Sequence, residues 1–391
     1  MKRTAGKISQ GLLTTAMVSI CLASLVTPLS TSLLGAFSAL SVCTWILGGG
    51  LVELPETFKR NPSTFVALLL FGFMIVAITY SPASNEEAFS VLKKYRELLL
   101  LPPVFCLLSG SATYRGRATG CFLTGCIGLM VLSYLFYFDL LQGDRYGYSL
   151  VFHITHSFFM AVLGYWSLHL AMQPGWSKYF WWLVCAAAVI NLVYIAPGRT
   201  GMFVFCCLTL LFLYQRLSFG KWLASLLIFA AVLAGAYHSS HNLSSRVDEA
   251  LQEIQRYQPG HSKTSVGQRF DWWKTSFDLF KKQPLIGHGT GSYRILHKAA
   301  TAGTDITPTD NPHNEFLFLA VQYGIIGLLL FLLIIGLQIY ESRKAPVINR
   351  YLFQGVVLAL LSGSLMNSLL FDSQQGHFYL FMSAALLAGN D

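Results

Sequence analysis

Apolar residues fill most of this chain in long runs that short polar stretches separate. A helix that crosses a membrane needs about 20 mostly apolar residues, and about twelve runs approach that length. They fall near residues 9–28, 32–52, 63–81, 97–111, 118–140, 150–172, 179–197, 201–217, 221–238, 314–340, 351–370 and 375–390. The pattern predicts an all-α polytopic membrane protein with about twelve transmembrane helices.

Two of these runs need comment. The fourth is short, and Pro102-Pro103 interrupts its start, so it is the least typical of a span. The first follows Lys2, Arg3 and Lys7, as the apolar core of a signal peptide would. Because it is long and lacks an Ala-x-Ala cleavage pattern, we expect an uncleaved first span.

Positive charges between the runs indicate the orientation of the chain. With the N-terminus in the cytoplasm, the even-numbered loops are cytoplasmic and carry the positive charge that this side of a membrane favours. These loops contain Lys59, Arg60, Arg115, Arg117, Lys178, Arg216, Lys221, Arg343, Lys344 and Arg350. The orientation leaves one long hydrophilic segment outside, residues 239–313, between membrane regions 1–238 and 314–391.

The long segment has two stretches with helical periodicity. Residues 247–257 carry apolar side chains at helical spacing, with Ser245 and Asp248 as a candidate start. Residues 269–282 form a second amphipathic candidate, and glycines at alternate positions of 287–291 end the pattern. A structureless loop of this length would be unusual, so we expect a helical lid on the membrane surface.

Composition supports a membrane protein and narrows its chemistry. Hydrophobic residues make up 54% and charged residues only 12%, against about 25% charged residues in ordinary soluble domains. The net charge of +9 fits loops beside anionic lipids, and no basic-aromatic patch predicts a nucleic-acid partner. His153 and His156 share a helix face, but without a nearby carboxylate or cysteine we favour packed or cavity-facing rings over a metal site.

The most informative polar stretch is Asn311-Pro312-His313-Asn314-Glu315, where the long segment re-enters the membrane. Pro312 is a typical helix-start residue, which would put the next three residues in the first turn. A neutral imidazole at this place can accept a proton near pH 7, so His313 is a candidate general base. The alternative is a polar cap at the water boundary.

Two arginines fall on the same predicted side as His313. Arg199 follows residues 197–198 at the outer end of the seventh run, and Arg269 precedes the tryptophans at 272–273. A guanidinium binds phosphate through a rigid two-pronged fork. Taken singly, each is more typical of an interfacial or solvated arginine. Together with His313, they suit a substrate with a lipid tail and a phosphate head.

A second basic cluster also lies outside, against the positive-inside pattern. It contains Lys93, Lys94 and Arg96, which could hold a pyrophosphate at the level of the lipid headgroups. The alternative is simple tolerance, because glutamates lie close by. Asp372 lies between the last two runs on the same side. The candidate substrate-binding residues are therefore Arg199, Arg269, Lys93, Lys94, Arg96, Asn311, Asn314, Glu315 and Asp372.

These motifs resemble those of the O-antigen ligase and polymerase superfamily of membrane glycosyltransferases. The resemblance rests on Pro312-His313-Asn314-Glu315-Phe316-Leu317 with Gly324 and Gly327, on the turn at Arg199, and on the stretch from Arg269-x-x-Trp272 to Pro284-Leu285-Ile286-Gly287-His288-Gly289. The size, the span count and the single large outer loop are most similar to the ligase branch.

The resemblance implies a GT-C-like fold in a bacterial inner membrane, with the long loop in the periplasm. It implies transfer of a glycan from undecaprenyl pyrophosphate to lipid A-core oligosaccharide, with inversion and with neither metal nor cofactor. His313 would be the base, and Arg199 and Arg269 would bind the pyrophosphate. The partners would be lipid-linked O-antigen, lipid A-core oligosaccharide and membrane lipids.

Three other interpretations remain open. An O-antigen polymerase shares the donor site, although polymerases more often carry two sizeable outer loops. A transporter would also need many spans, but transporters commonly contain two related halves, and no internal repeat is detected. A membrane scaffold would not require arginine and histidine clustered at one surface.

Overall fold

Helices form the regular structure of this chain, whose computed structural model describes residues 6–142, 147–261 and 263–389. Lys2 and Arg3, predicted to precede the first span, lie outside the described residues. The α-helices are α1 Lys7–Val26, α2 Thr31–Leu47, α3 Leu54–Arg60, α4 Pro62–Val76, α5 Asn85–Lys94, α6 Glu97–Ser109, α7 Ala112–Tyr137, α8 His153–Ala171, α9 Ser177–Ile190, α10 Arg199–Arg216, α11 Phe219–Ser239, α12 His241–Gln255, α13 Ser265–Lys282, α14 Ser292–Ala300, α15 Glu315–Glu341, α16 Val347–Ser364 and α17 Ser373–Leu387.

Each of the twelve predicted runs overlaps at least one of these helices. Within the described ranges, 6 helices are long and apolar enough to cross a membrane by themselves. The second run is bent, because α2 and the helical stretch Gly50–Arg60 meet at 83°. The prediction of twelve spans therefore stays a prediction, whereas an all-helical architecture with several candidate spans is confirmed.

The fourth run differs from its predicted form. Pro102 and Pro103 do not interrupt its start, because α6 runs through both of them. The backbone φ of proline is already helical, but each proline removes one N–H donor and its ring crowds the carbonyl four residues earlier. Both prolines are buried where α6 packs against its neighbouring helices.

The core lies around α8 and α17, in which nearly every residue is buried. In contrast, none of the residues of α11 is buried along its described length, which puts this helix at the periphery. Helix α10 runs from Arg199 to Arg216, and α15 runs from Glu315 to Glu341. The polar residues considered below gather at the end of the bundle where α10 and α15 begin.

The described part of the long segment, residues 239–261 and 263–313, contains three helices, and two begin earlier than the sequence predicted. Ser240, and not Ser245, caps α12, because its Oγ accepts the Leu243 N–H at 3.2 Å as soon as α11 has ended. Asp248 instead accepts the hydroxyl of Tyr237 at 2.6 Å. Helix α13 begins at Ser265, where Thr264 supplies the capping oxygen. A serine or threonine with extended backbone is the usual cap of a helix. Ser240 and Thr264 have this conformation and directly precede the first residues of α12 and α13.

The glycine-rich stretch after α13 docks into a break in α15. Gly324 has φ +61°, which interrupts the helix and leaves nearby backbone groups without partners inside it. The N–H groups of His288 and Gly289 donate to the carbonyls of Val321 and Gln322 at 2.9 and 2.8 Å. On the other side of the break, Ile325 and Ile326 donate to the carbonyls of Pro284 and Leu285 at 2.8 and 3.2 Å. The two motif stretches singled out in the sequence are thus paired with each other.

Candidate functional site

His313 lies in the turn immediately before α15, not in its first helical turn. Asn314 caps the helix by accepting the Leu317 N–H at 3.1 Å, so the helix begins one residue later, at Glu315. The predicted start at Pro312 is therefore wrong, because the asparagine side chain is the better partner for the free N–H groups. His313 has φ +52°, a conformation that non-glycine residues rarely adopt and that is concentrated at functional sites.

Hydrogen bonds fix both the backbone and the ring of His313. Its N–H donates to Asn311 Oδ1 at 2.8 Å, and its Nδ1 lies 3.3 Å from Asn367 Oδ1. Asn367 in turn donates from Nδ2 to the hydroxyl of Thr200 at 2.9 Å. This amide orientation assigns the ring proton to Nδ1. The other ring nitrogen, Nε2, then keeps the lone pair that a general base needs.

The surroundings of His313 favour its neutral form. Burial lowers its pKa, the positive charge of Arg269 lowers it further, and the hydrogen bond with Asn367 raises it. Trp272 covers the ring, with 5.5 Å between the ring centroids. A half-buried imidazole whose pKa is lowered is neutral near pH 7 and can take up a proton during a reaction.

A cavity of about 330 Å³ opens beside His313. Four of the residues singled out in the sequence line it: His313, Asn311, Lys94 and Asp372. Asn367 lines it as well, so His313 and the residue that orients its ring face the same space. The cavity combines a neutral base, a cation and a carboxylate, which is a suitable environment for a polar ligand with several hydroxyl groups.

The outer basic cluster is divided between the cavity and the solvent. Lys94 lines the cavity, with its Nζ 5.5 Å from the centre of the Phe371 ring. Arg96 reaches the rim, where its Nη2 donates to Ser373 Oγ at 2.9 Å. Lys93 is exposed at the end of α5, and its carbonyl accepts a hydrogen bond from Arg96 at 3.1 Å. Two of the three predicted cations, Lys94 and Arg96, therefore lie at the cavity beside His313.

Arg269 and Arg199 lie close to each other and near carboxylates that the sequence pattern did not single out. Arg199 begins α10 and forms ion pairs with Glu249 at 2.7 Å and Glu253 at 3.3 Å, both from α12. Burial lowers the pKa of Arg269, and the neighbouring charge of Arg199 lowers it further, whereas Glu253 raises it. The same Arg269 charge acts on His313, so the three predicted residues form one electrostatic neighbourhood.

Asn314 and Glu315 form hydrogen bonds with other parts of the fold at the start of α15. Besides capping α15, Asn314 donates from Nδ2 to the carbonyl of Leu365 at 3.2 Å. Glu315 is fully buried and accepts the hydroxyl of Tyr95 at 2.7 Å and the N–H of Leu370 at 2.9 Å. Their oxygen atoms are thus occupied by the fold, and the binding role that the sequence predicted for them stays a prediction.

Several residues of the site carry no local signal in the sequence. Asn367 and Thr200 orient the His313 ring through contacts that span 54 and 167 positions of the chain. Glu249 and Glu253 meet Arg199 across 50 and 54 positions. Hydrophobic periodicity cannot reveal such pairs. The one available hint was the position of Asn367, a polar residue near the outer end of the predicted run 351–370, on the same predicted side as Asp372.

A family model for the O-antigen ligase domain, Wzy_C, matches residues 159–332. This part of the chain belongs to the O-antigen ligase superfamily. The resemblance read from the motifs around His313 and Arg269 is thereby confirmed. No curated protein matches the chain.

Members of the O-antigen ligase superfamily are membrane enzymes of the glycosyltransferase or ligase type that act on polysaccharide or lipid-linked substrates. The apolar helices agree with this assignment and make the chain a multi-pass membrane protein. The matched region contains Arg199, Arg269 and His313. Lys94 and Asn367 lie before and after it, so the cavity beside His313 extends beyond the part that the superfamily describes.

Proposed function

We propose that this protein is an O-antigen ligase of the bacterial inner membrane. It transfers a glycan from undecaprenyl pyrophosphate to a sugar hydroxyl of lipid A-core oligosaccharide, with inversion and without a metal ion. The observation that carries the proposal is the His313 imidazole beside a polar cavity and near Arg269, held by Asn367, with no hydrogen bond to Nε2 from the described residues. Membership of the superfamily supports the class of reaction.

In the proposed reaction, an acceptor hydroxyl enters the cavity and gives its proton to His313 Nε2. Its oxygen forms a bond to the anomeric carbon while the bond from that carbon to the pyrophosphate oxygen breaks. The electron pair leaves with undecaprenyl pyrophosphate, on which negative charge increases. One displacement inverts the configuration at carbon. A positioned general base contributes roughly 10² to 10⁴ fold to such a rate.

The arginines would stabilise the leaving group. Arg269 and Arg199 carry permanent positive charge in a partly buried setting, where fixed charges stabilise developing negative charge more strongly than water does. Guanidinium groups at this place can perform the task that a divalent cation performs in many phosphate-transferring enzymes. The proposal therefore predicts full transfer activity in excess chelator. Loss of activity in chelator that a divalent ion restores would refute the metal-free mechanism.

The reaction would take place on the periplasmic side. His313 precedes α15, and Arg199 begins α10, whereas Arg343, Lys344 and Arg216 lie at the far ends of these helices. Positive charge outside the spans favours the cytoplasmic side, which supports the opposite end as periplasmic. A cysteine-labelling experiment with a reagent that does not cross membranes tests this orientation directly.

The test of the function compares His313→Ala with His261→Ala in a strain that lacks the gene. His261 is an exposed histidine of the same segment, paired with Asp305 at 2.8 Å, and serves as the matched control. We expect His313→Ala to abolish O-antigen on the core and to accumulate lipid-linked polymer, while the control restores the normal ladder. The variant must be present in the membrane at the wild-type level.

Two other outcomes would contradict the proposal. A core that carries a single repeat unit in the deletion strain would identify a polymerase instead. An unchanged lipopolysaccharide ladder in that strain would contradict both the ligase and the polymerase interpretation. With purified protein and substrates, turnover of His313→Ala close to the wild-type value would refute the role of His313 as base, whichever acceptor is used.

A further inference from the structure

A second cavity lies beneath α12, on the other side of the α8 start. Its volume is about 460 Å³, and its walls include Tyr148, His153, Pro197, Arg246 and Glu249. Neighbouring residues divide the two spaces, because Phe152 lines the cavity of His313 and His153 lines this one. The donor and acceptor of a transferase must approach from different directions. Two adjacent cavities, one on each side of the α8 start, provide such an arrangement.

A carboxylate of the protein holds the position that an anionic ligand of Arg199 would take. Glu249 Oε2 lies 2.7 Å from Nη2 of Arg199 and 3.4 Å from Nη1 of Arg246. The Nε of Arg199 is buried and has no hydrogen-bond partner among the described residues. The guanidinium is therefore only partly satisfied by the carboxylates, and it retains a donor for a further oxygen. Phosphate oxygens match this fork better than one carboxylate does.

The pair between Arg199 and Glu249 is easy to exchange. The Glu249 side chain is 52% exposed, and exposed ion pairs contribute little to stability. Glu253 differs, because its side chain is only 10% exposed and its Oε2 also accepts the Val266 N–H at 2.6 Å. Glu253 thus connects α12 to α13, whereas Glu249 makes no hydrogen bond to α13 among the described residues.

Helix α12 can move with little loss of packing. None of its residues is buried along its described length. Its first turn is attached through Ser240 and Asn242, which donate to the carbonyls of Val193 and Tyr194 at 2.8 and 2.7 Å. The middle of the helix carries Glu249, which lines the cavity, and it is held by the ion pair with Arg199 and by the hydrogen bond from Tyr237 to Asp248. Elements with few buried contacts are the ones that open at low free-energy cost.

We propose that the cavity beneath α12 binds the pyrophosphate of the donor, and that Glu249 is an exchangeable counterion which occupies Arg199 until the donor replaces it. This inference rests on the proposed role of Arg199 as a pyrophosphate ligand. Arg246 and His153 become further ligands of the same anion. The carboxylate keeps Arg199 positioned in the empty enzyme and excludes weaker anions, so only a ligand with higher charge displaces it and moves α12.

Binding of undecaprenyl pyrophosphate to the purified full-length protein in detergent tests the exchange, with inorganic pyrophosphate as competitor. Glu249→Gln removes the competing charge, and an exposed ion pair of this kind corresponds to an affinity gain of about two- to fivefold. The gain must disappear when Arg199→Gln is combined with Glu249→Gln. Asp278→Asn is the matched control, because it removes an exposed carboxylate paired at 2.7 Å with Lys281 in the same segment.

The outcomes separate this inference from the proposed function. Unchanged or weaker binding by Glu249→Gln, with weaker binding by Arg199→Gln, would overturn the exchange and leave Arg199 as a ligand. Binding that neither substitution alters would overturn both assignments. Hydrogen exchange gives a readout on the wild-type protein: pyrophosphate should speed amide exchange in α12 and leave α14 unchanged. Equal or slower exchange in α12 would refute its displacement.

Discussion

Asn367 offers the sharpest test of how this protein prepares its base. Its Oδ1 faces His313 Nδ1 at 3.3 Å, and its Nδ2 is held by Thr200 at 2.9 Å. Two substitutions of nearly the same size alter this contact in opposite ways. Asn367→Leu removes the acceptor, and Asn367→Asp replaces it with a negative charge. We expect both to keep the fold, because the changes are confined to one side chain in the turn after α16.

The two variants should shift the pH profile of transfer in opposite directions. The hydrogen bond with Asn367 raises the pKa of His313, so Asn367→Leu lowers that pKa and moves the acidic limb to lower pH. A carboxylate stabilises the imidazolium, so Asn367→Asp raises the pKa and moves the limb to higher pH. At 3.3 Å the contact is at the long end of the range, and its loss corresponds to about 0.5–1 kcal/mol, or a two- to fivefold lower maximal rate.

Transfer by purified protein in detergent is measured at saturating substrate from about pH 5 to 9. The resulting pH–rate profile gives the position of its acidic limb and the maximal rate separately. A residue with only a structural role would lower the maximum and leave the limb in place. Identical limbs in wild type, Asn367→Leu and Asn367→Asp, together with an inactive His313→Ala, would refute the reasoning. The base would then be oriented by something other than this amide.

Two further predictions concern charge and backbone. Arg269→Gln removes a charge that lowers the pKa of His313, so the acidic limb should move to higher pH, whereas Arg269→Lys should leave it unmoved; a shift to lower pH in Arg269→Gln would contradict this. Gly324→Ala should lower the melting temperature, because φ +61° alone costs about 1–3 kcal/mol for alanine and its methyl group would overlap the backbone of Leu285. Gly336→Ala in the same helix meets open space and should not lower it; equal losses in both would refute the argument.

The sequence predicted the helices well and the contacts between them poorly. Runs of apolar residues are a property of each helix alone, so the run near 118–140 overlaps α7 and the run near 314–340 overlaps α15. The start of α15 was misplaced by three residues, from Pro312 to Glu315, because Pro312 and Asn314 both favour helix starts. The choice between them depends on which side chain reaches the Leu317 N–H, and that is a matter of three-dimensional geometry.

The same limit applies to the chemistry of the site. His313, Arg199 and Arg269 could be found because each stands at a recognisable break between an apolar run and a polar stretch. Asn367 and Glu249 could not, because their importance comes from a partner more than 40 positions away in the chain. A sequence pattern identifies a candidate base, but the tertiary fold supplies the residue that decides which of its nitrogens carries the proton.

The break in α15 also bears on how the protein is made. The carbonyls of Val321 and Gln322 have their partners in the stretch around Gly287, which precedes α15 in the chain. During synthesis that stretch leaves the ribosome first and is already available when α15 enters the bilayer. Carbonyls without partners are costly in lipid, so insertion of this span and docking of the segment are coupled steps of assembly. The turn with His313 is consequently set in place during biogenesis, before any substrate is bound.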